Sequence, residues 1–351
     1  MKAALKNLDG TFQIAEVDRP ILPGTDWVIM RVRVAGICGT DLRHWKVEDP
    51  SLECHIMGHE LAGEIVEVGA DVFNVQPGDR VVIETVMGDG VCPWCHIQRY
   101  NICEHLYDVR TKYVSRAYAE YVAAPATKVY KLPDHMSFEE AALVDTLSVC
   151  LHGQHLSGLA INDKVAVIGA GCIGLGQTIL AKASGADVMV TDIVDSALDL
   201  ARSLGADAIV NTQREDPVER VMTWTDGRGA DIVFECAGGA AMPITLPQAT
   251  RMVRRGGKVV VIGGFDEGES TIPLEWQRMQ MSEIQLILSA SFAFHDIYSE
   301  QGQIVELIAK GKLDVGKLIT HRFKLDQINE AFATARDKER TGAVFVPITI
   351  E

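Results

Sequence analysis

Residues 164–176 read Lys-Val-Ala-Val-Ile-Gly-Ala-Gly-Cys-Ile-Gly-Leu-Gly. An apolar run of strand length runs directly into a G-x-G-x-x-G turn formed by Gly169, Gly171 and Gly174. A helical, Ala/Leu-rich stretch (177–184) follows. Glycines at this spacing allow a tight turn, close approach of backbone to a pyrophosphate, and tight packing of helix on sheet. The helix start then offers N–H groups and a positive dipole end to the phosphates. We therefore expect Gly169, Gly171, Cys172, Ile173 and Gly174 to line a dinucleotide site. Asp192 ends the next strand-like run (187–191), roughly twenty residues on, where an acid takes the adenosine ribose hydroxyls. Asp195 adds a second negative charge, and no Arg or Lys stands between Thr191 and Arg202. These residues favour NAD over NADP. The blander alternatives are a structural glycine turn and an Asp192 that only serves a helix start.

The same alternation continues outward from this turn. Strand-like runs at 164–168, 187–191, 209–210, 232–234, 259–262 and 284–288 have helical stretches at 177–184, 196–204, 216–224 and 240–253 between several of them. Apolar strands alternating with helices predict a parallel sheet covered on both faces. Before residue 150 the texture differs. In 27–35, Val28, Met30, Val32 and Val34 alternate with Arg31 and Arg33, the period of a half-buried strand. Gln76-Pro77-Gly78-Asp79 is a turn before a strand-like 80–83. Glycines at 58, 63, 69 and 78 suit the corners of a small β-barrel or sandwich. From about Ser291 the tail resembles this first half again. It ends in a strand-like 343–350, with Pro347 marking an edge.

The chain has 351 residues, enough for two domains. Its 33 basic and 48 acidic residues leave a net charge of −15. That surface repels nucleic acid and anionic membrane, so neither is expected as a partner. The first ten residues lack the apolar core of a signal peptide. The uncharged runs 146–162 and 165–181 carry too many polar or glycine residues to span a membrane, so a cytoplasmic protein is expected. In that compartment eight cysteines read as thiols or metal ligands rather than disulfides.

Two groups of those residues have metal-ligand character. Cys38 lies in a Gly-bracketed segment after a strand, and His59 and Glu60 follow about twenty residues later. Each alone is ordinary; together thiolate, imidazole and carboxylate suit an open zinc site. The second group is local: Cys92-x-x-Cys95, then Cys103. This spacing suggests a tetrahedral structural zinc. A fourth cysteine is missing, and Asp89 is the best-placed donor, with His96 and His105 as alternatives.

The segments 36–45 (GICGTDLRHW), 57–69 (MGHELAGEIVEVG), 77–81 (PGDRV), 92–103 and 167–176 occur in an order and spacing that resembles the zinc-dependent medium-chain dehydrogenase/reductase family, which includes alcohol, sorbitol and L-threonine dehydrogenases. The resemblance covers nearly the whole chain. It implies an α/β protein: a GroES-like β-barrel catalytic domain (1–155), a Rossmann doubly wound parallel-sheet domain binding NAD (156–292), and a return to the catalytic domain (293–351). It implies two zinc ions per chain. The catalytic zinc would be held by Cys38, His59 and Asp145, with Glu60 as an alternating or supporting ligand; Cys150 fits the segment around 145 less well. The structural zinc would take Asp89, Cys92, Cys95 and Cys103, where the family usually has four cysteines.

The resemblance further implies hydride transfer between a secondary alcohol and NAD. Thr40 would pass the hydroxyl proton on. The family usually has a histidine five residues after the catalytic cysteine; here Arg43 stands there and His44 follows, so His44 is the candidate for the end of the relay. Arg43, His44, Trp45 and residues near 289–294 are candidates for the pocket wall, with packing as the alternative for Trp45 and coenzyme phosphates for Arg43. Polyols, sugars or cyclitols lead as substrates, followed by L-threonine and simple 2-alcohols. A homotetramer is expected, with 284–288 as an edge for pairing. The competing classes are a zinc-free quinone reductase and a non-catalytic NAD- or metal-sensing protein.

Overall fold

A computed structural model describes residues 1–45, 47, 55–106, 116–264 and 271–351. The Cα packing divides the chain into two compact units. One comprises Met1–Thr146, Phe292–Gly311 and Ile319–Glu351; the other comprises Leu147–Ser291 and Lys312–Leu318. The first break falls inside the helix Val144–Ser157, upstream of the 155/156 boundary that the family resemblance implies.

The first unit is built on a seven-stranded sheet. Along it run Phe323–Lys324, Pro347–Thr349, Trp27–Gly36, Glu60–Val68, Arg80–Ile83 and Val129–Lys131, with Tyr121–Pro125 also paired to Trp27–Gly36. The alternation read in 27–35 is visible in burial: Val28, Met30 and Val32 are fully buried, while Arg31 and Arg33 reach the surface region. Ile29 is buried as well, because Tyr121–Pro125 lies alongside. The core gathers Met30, Val32, Leu61, Ile65, Tyr118 and Phe332.

Register in this sheet decides the chemistry. Trp27–Gly36 pairs antiparallel with Glu60–Val68, from Val28 opposite Val68 to Gly36 opposite Glu60. The end of one strand, just before Cys38, therefore lies against the start of the other, just after His59. Pro347 corrects an expectation. Its strand lies between Phe323–Lys324 and Trp27–Gly36 and is not an edge. The proline is tolerated because Ile37 N–H bonds Val346 O and Ile350 N–H bonds Arg33 O. Pro347, opposite Gly36, falls at a position that donates nothing to that ladder.

The second unit holds a six-stranded parallel sheet. Its order is Ala208–Asn211, Asp187–Asp192, Lys164–Ile168, Ala230–Glu235, Val253–Val261, Gln285–Leu288. In chain order this is 3-2-1-4-5-6, the Rossmann topology. The helical stretch expected over 240–253 ends at Met252, and the strand expected over 259–262 starts earlier and spans Val253–Val261, with an irregular register between Ala230 and Ile232. Strand order reverses between Lys164–Ile168 and Ala230–Glu235, the switch point at which open sheets of this kind bind ligands. Among the described residues no helix is long and apolar enough to cross a membrane.

Candidate active site

Cys38 follows the strand Trp27–Gly36 and precedes the short helix Gly39–Trp45. His59 and Glu60 stand at the start of Glu60–Val68. A ligand atom from each of Cys38, His59 and Glu60 lies within 4.8 Å of the other two. Gly36 makes that approach possible: a Cβ there would sit 2.5 Å from Glu60 Oε2 and 2.5 Å from the Phe345 ring. Glu60 is buried. Its Oε1 accepts from the Thr146 hydroxyl, and Oε2 has no hydrogen-bond partner among the described residues. Burial pushes its carboxyl up to about 7, with the nearby Asp145 and Asp41 charges adding to the rise and His59 opposing it. A buried carboxylate oxygen left without a donor is costly. A cation ligated together with the Cys38 thiolate and His59 would satisfy it, so the residues fit zinc.

Asp145 is buried on the helix Val144–Ser157, near enough for its charge to act on Glu60. Its Oδ2 accepts from the Thr85 hydroxyl at 3.4 Å, and it stands outside the set of three mutually close ligand atoms. Cys150, the other candidate in this segment, donates its thiol to Ile173 O at 3.3 Å.

Asp41 had no role in the sequence reading. The helix Gly39–Trp45 turns it inward, and it is buried. Asp41 Oδ1 lies 3.6 Å from His59 Nδ1, while Oδ2 accepts from Cys38 N–H at 3.0 Å and from the Tyr118 hydroxyl at 2.9 Å. Burial works against its charged form, but His59, the Cys38 N–H and the Tyr118 hydroxyl outweigh it and hold the carboxyl below its ordinary range. With Nδ1 facing Asp41, Nε2 is the nitrogen assigned to a metal, the arrangement by which a carboxylate fixes a ligating histidine's tautomer. No spacing rule marks Asp41; only the local GTD turn hints at it.

On the same helix, Thr40 accepts from Arg43 Nη2 at 3.0 Å. His44 lies one residue further and is half-buried. Trp45 packs against Phe332 with ring centroids 5.6 Å apart and donates its indole N–H to Gly10 O, which assigns it to the core.

The second ligand group forms a compact lobe. Atoms from Asp89, Cys92, Cys95 and Cys103 all lie within 4.8 Å of one another. Asp89 Oδ1 accepts from Val91 N–H and Cys92 N–H, both at 2.9 Å, and Oδ2 lies 2.7 Å from His105 Nδ1. His105, then these N–H groups, hold the Asp89 carboxyl well below the usual carboxylate range. Burial pushes the Cys95 thiol up to about 12. One ionised carboxylate and three sulfurs at this separation fit a tetrahedral cation. His105, weighed as a ligand from spacing, instead backs Asp89, and His96 stands outside the set.

In the second unit the glycine turn has the close approaches that its spacing requires. A Cβ on Gly174 would lie 1.7 Å from Gly169 O. The helix Cys172–Ala183 opens with Gly171 as its N-cap and with no side-chain cap. Asp192 Oδ2 accepts from Ala170 N–H at 2.6 Å, and Oδ1 accepts from Ile193 and Val194 N–H at 2.7 and 2.9 Å. The acid thus locks the turn to its own strand end, and Oδ2, which takes a single N–H, keeps a lone pair for a ribose hydroxyl.

The family model for the alcohol dehydrogenase GroES-like domain matches residues 24–134, and that for zinc-binding dehydrogenases matches residues 172–309. D-arabitol-phosphate dehydrogenase of Enterococcus avium is 35% identical over 340 residues, covering 95% of this chain and 93% of its own. Sorbitol dehydrogenase of Bacillus subtilis (strain 168) is 33% identical over 344 residues, covering 95% and 93%. Among solved structures, one named as a zinc-binding dehydrogenase of Sinorhizobium meliloti 1021, bound to NADP, superposes with a TM-score of 0.88 at 30% identity, covering 99% of both chains.

Proposed function

Because the chain belongs to the zinc-dependent medium-chain dehydrogenase/reductase family and is therefore an oxidoreductase, we propose that it transfers a hydride between a secondary alcohol of a polyol, sugar or cyclitol and NAD. The observation that carries this reading is the approach of Cys38, His59 and Glu60 to within 4.8 Å, with a buried Glu60 oxygen awaiting a cation. Relatives that act on sorbitol and D-arabitol phosphate support the polyol class.

Bound zinc supplies Lewis acidity toward a substrate oxygen, and the nicotinamide supplies a hydride acceptor. The chain's residues do the rest. Cys38 and His59, oriented by Asp41, hold the metal, and Glu60 and Asp145 complete the acidic wall around it. Arg43 takes one lone pair of Thr40 and leaves the Thr40 O–H to hand a proton between substrate and solvent. His44, on the next turn of the same helix, is the candidate receiver. Gly169, Gly171, Cys172, Ile173 and Gly174 cradle the pyrophosphate, and Asp192 takes the adenosine ribose. Asp89, Cys92, Cys95 and Cys103 hold a second zinc whose role is structural.

A cytoplasmic homotetramer completes the proposal. Gln285–Leu288 is the outer strand of the parallel sheet, with Leu288 largely exposed, and offers an edge for a second copy. The test is NADH formation by zinc-loaded protein with sorbitol, arabitol, inositol, polyol phosphates, L-threonine and 2-alcohols. Turnover of polyols or their phosphates, lost in Cys38→Ser, is expected. Turnover of L-threonine alone, or equal turnover in Cys38→Ser, would overturn the assignment.

A further inference from the structure

The sequence offers no cation close to Asp192, yet the fold delivers one from another strand. Asn211 ends the strand Ala208–Asn211 directly opposite Asp192, and Thr212 N–H bonds Asp192 O at 3.0 Å. The chain then turns back, with Arg214 N–H on Asn211 O and Gln213 N–H on Asn211 Oδ1, both at 3.0 Å. This turn swings the Arg214 guanidinium onto Asp195, where Nη2 pairs with Oδ2. Asn211 Nδ2 holds the other oxygen of Asp195 at 2.7 Å and bonds Ile193 O at 3.3 Å. Asp195 is the first residue of the helix Asp195–Ser203, three residues beyond Asp192. The Asn211 amide, and after it Arg214, hold the Asp195 carboxyl below its ordinary range. One corner of the sheet thus carries the ribose acid, a second acid, and a guanidinium whose charge the second acid cancels.

We infer that Asp195 is a specificity-determining residue: it sequesters Arg214, a latent partner for a 2′-phosphate, so that discrimination against NADP rests on the Asp195–Arg214 pair as well as on Asp192. This rests on the proposed placement of the adenosine ribose at Asp192. The chemistry is direct. Guanidinium is the preferred partner of a phosphate, and a carboxylate already paired with it both occupies its donors and adds repulsion. The pair lies at the surface, Arg214 being 67% and Asp195 54% exposed, so it can open and its influence is screened by salt.

The experiment compares calorimetric affinities for 2′,5′-ADP and for ADP, which require neither zinc nor alcohol. Asp195→Asn is the informative variant, because its side-chain oxygen can still accept from Asn211 while its charge is gone. Removing one unit of negative charge about 8 Å from a phosphate carrying one to two charges in a water-like medium changes affinity by roughly two- to sixfold. Affinity for 2′,5′-ADP relative to ADP should rise by that factor in Asp195→Asn, fall back in Asp195→Asn/Arg214→Gln, and rise less at high salt. Thermal melts of both variants should match the parent. A ratio unmoved in Asp195→Asn, or a rise that survives loss of Arg214, overturns the inference while ADP binding upholds the ribose site. Failure of ADP to bind the parent protein overturns the ribose site and the inference with it.

Discussion

Replacing Asp41 by Asn removes one charge and no volume, and the structure says why it should disable the metal site. Both the Cys38 N–H and the Tyr118 hydroxyl donate to the same carboxylate oxygen, Oδ2, at 3.0 and 2.9 Å. An asparagine can satisfy these donors only by turning its carbonyl oxygen toward them. Its amide nitrogen then faces His59 Nδ1, which lies 3.6 Å from Oδ1 in the parent. An N–H donor at that place demands an unprotonated Nδ1 and moves the imidazole proton to Nε2, the nitrogen that a metal needs. Two full charges at 3.6 Å and an effective dielectric near 20 would interact by about 5 kcal/mol, a ceiling, because a metal-bound imidazole carries only part of a unit charge. Loss of such a supporting carboxylate typically costs 10–100-fold in metal affinity, about 1.4–2.7 kcal/mol. Asp41→Ala supplies the contrast. It imposes no tautomer but orphans two buried donors, so it should lose more thermal stability and less zinc affinity than Asp41→Asn. The assay is zinc transfer to a chromogenic chelator alongside thermal melts, with the Asp89/Cys92/Cys95/Cys103 lobe as the internal control. Equal zinc affinity in the parent and Asp41→Asn, with Cys38→Ser losing that zinc, would refute the tautomer argument.

Three further outcomes are expected. Elemental analysis of dialysed protein should approach two zinc ions per chain, falling by one in Cys38→Ser and by one in Cys103→Ser; a parent value of one, unchanged in Cys38→Ser, would remove the catalytic ion. Gly174→Ala forces a Cβ against Gly169 O at 1.7 Å, so NAD affinity should fall by more than about tenfold, measured by fluorescence titration of NADH; an unaffected titration would mean that the turn does not seat the pyrophosphate. Asp192 should contribute roughly 1.5–3 kcal/mol through bonds to the ribose, giving at least about a hundredfold preference for NAD over NADP in kcat/KM together with the repulsion of a 2′-phosphate. Asp192→Ala should narrow that ratio, and a ratio that stays put speaks against the assignment.

The sheet of the second unit was legible from residues 164–176 outward because strand, turn and helix are consecutive there, and each glycine has a local job. Local spacing likewise marked Cys92, Cys95 and Cys103, and Asp89 three residues upstream. Tertiary structure decided what depends on residues far apart. The register that sets Gly36 opposite Glu60 is what brings Cys38 to His59. Pro347 looks like an edge residue because a proline lacks an N–H, but whether that N–H is needed depends on the partner strand's phase. Asp41 became a histidine's orienter, Trp45 a core residue, and His105 a support for Asp89 only through the direction in which short helices and turns point their side chains. Arg214 shows the limit most plainly. No Arg or Lys stands between Thr191 and Arg202 in the chain, yet a parallel sheet places the end of the neighbouring strand beside Asp192, and sequence distance across a helix says nothing of distance across a sheet.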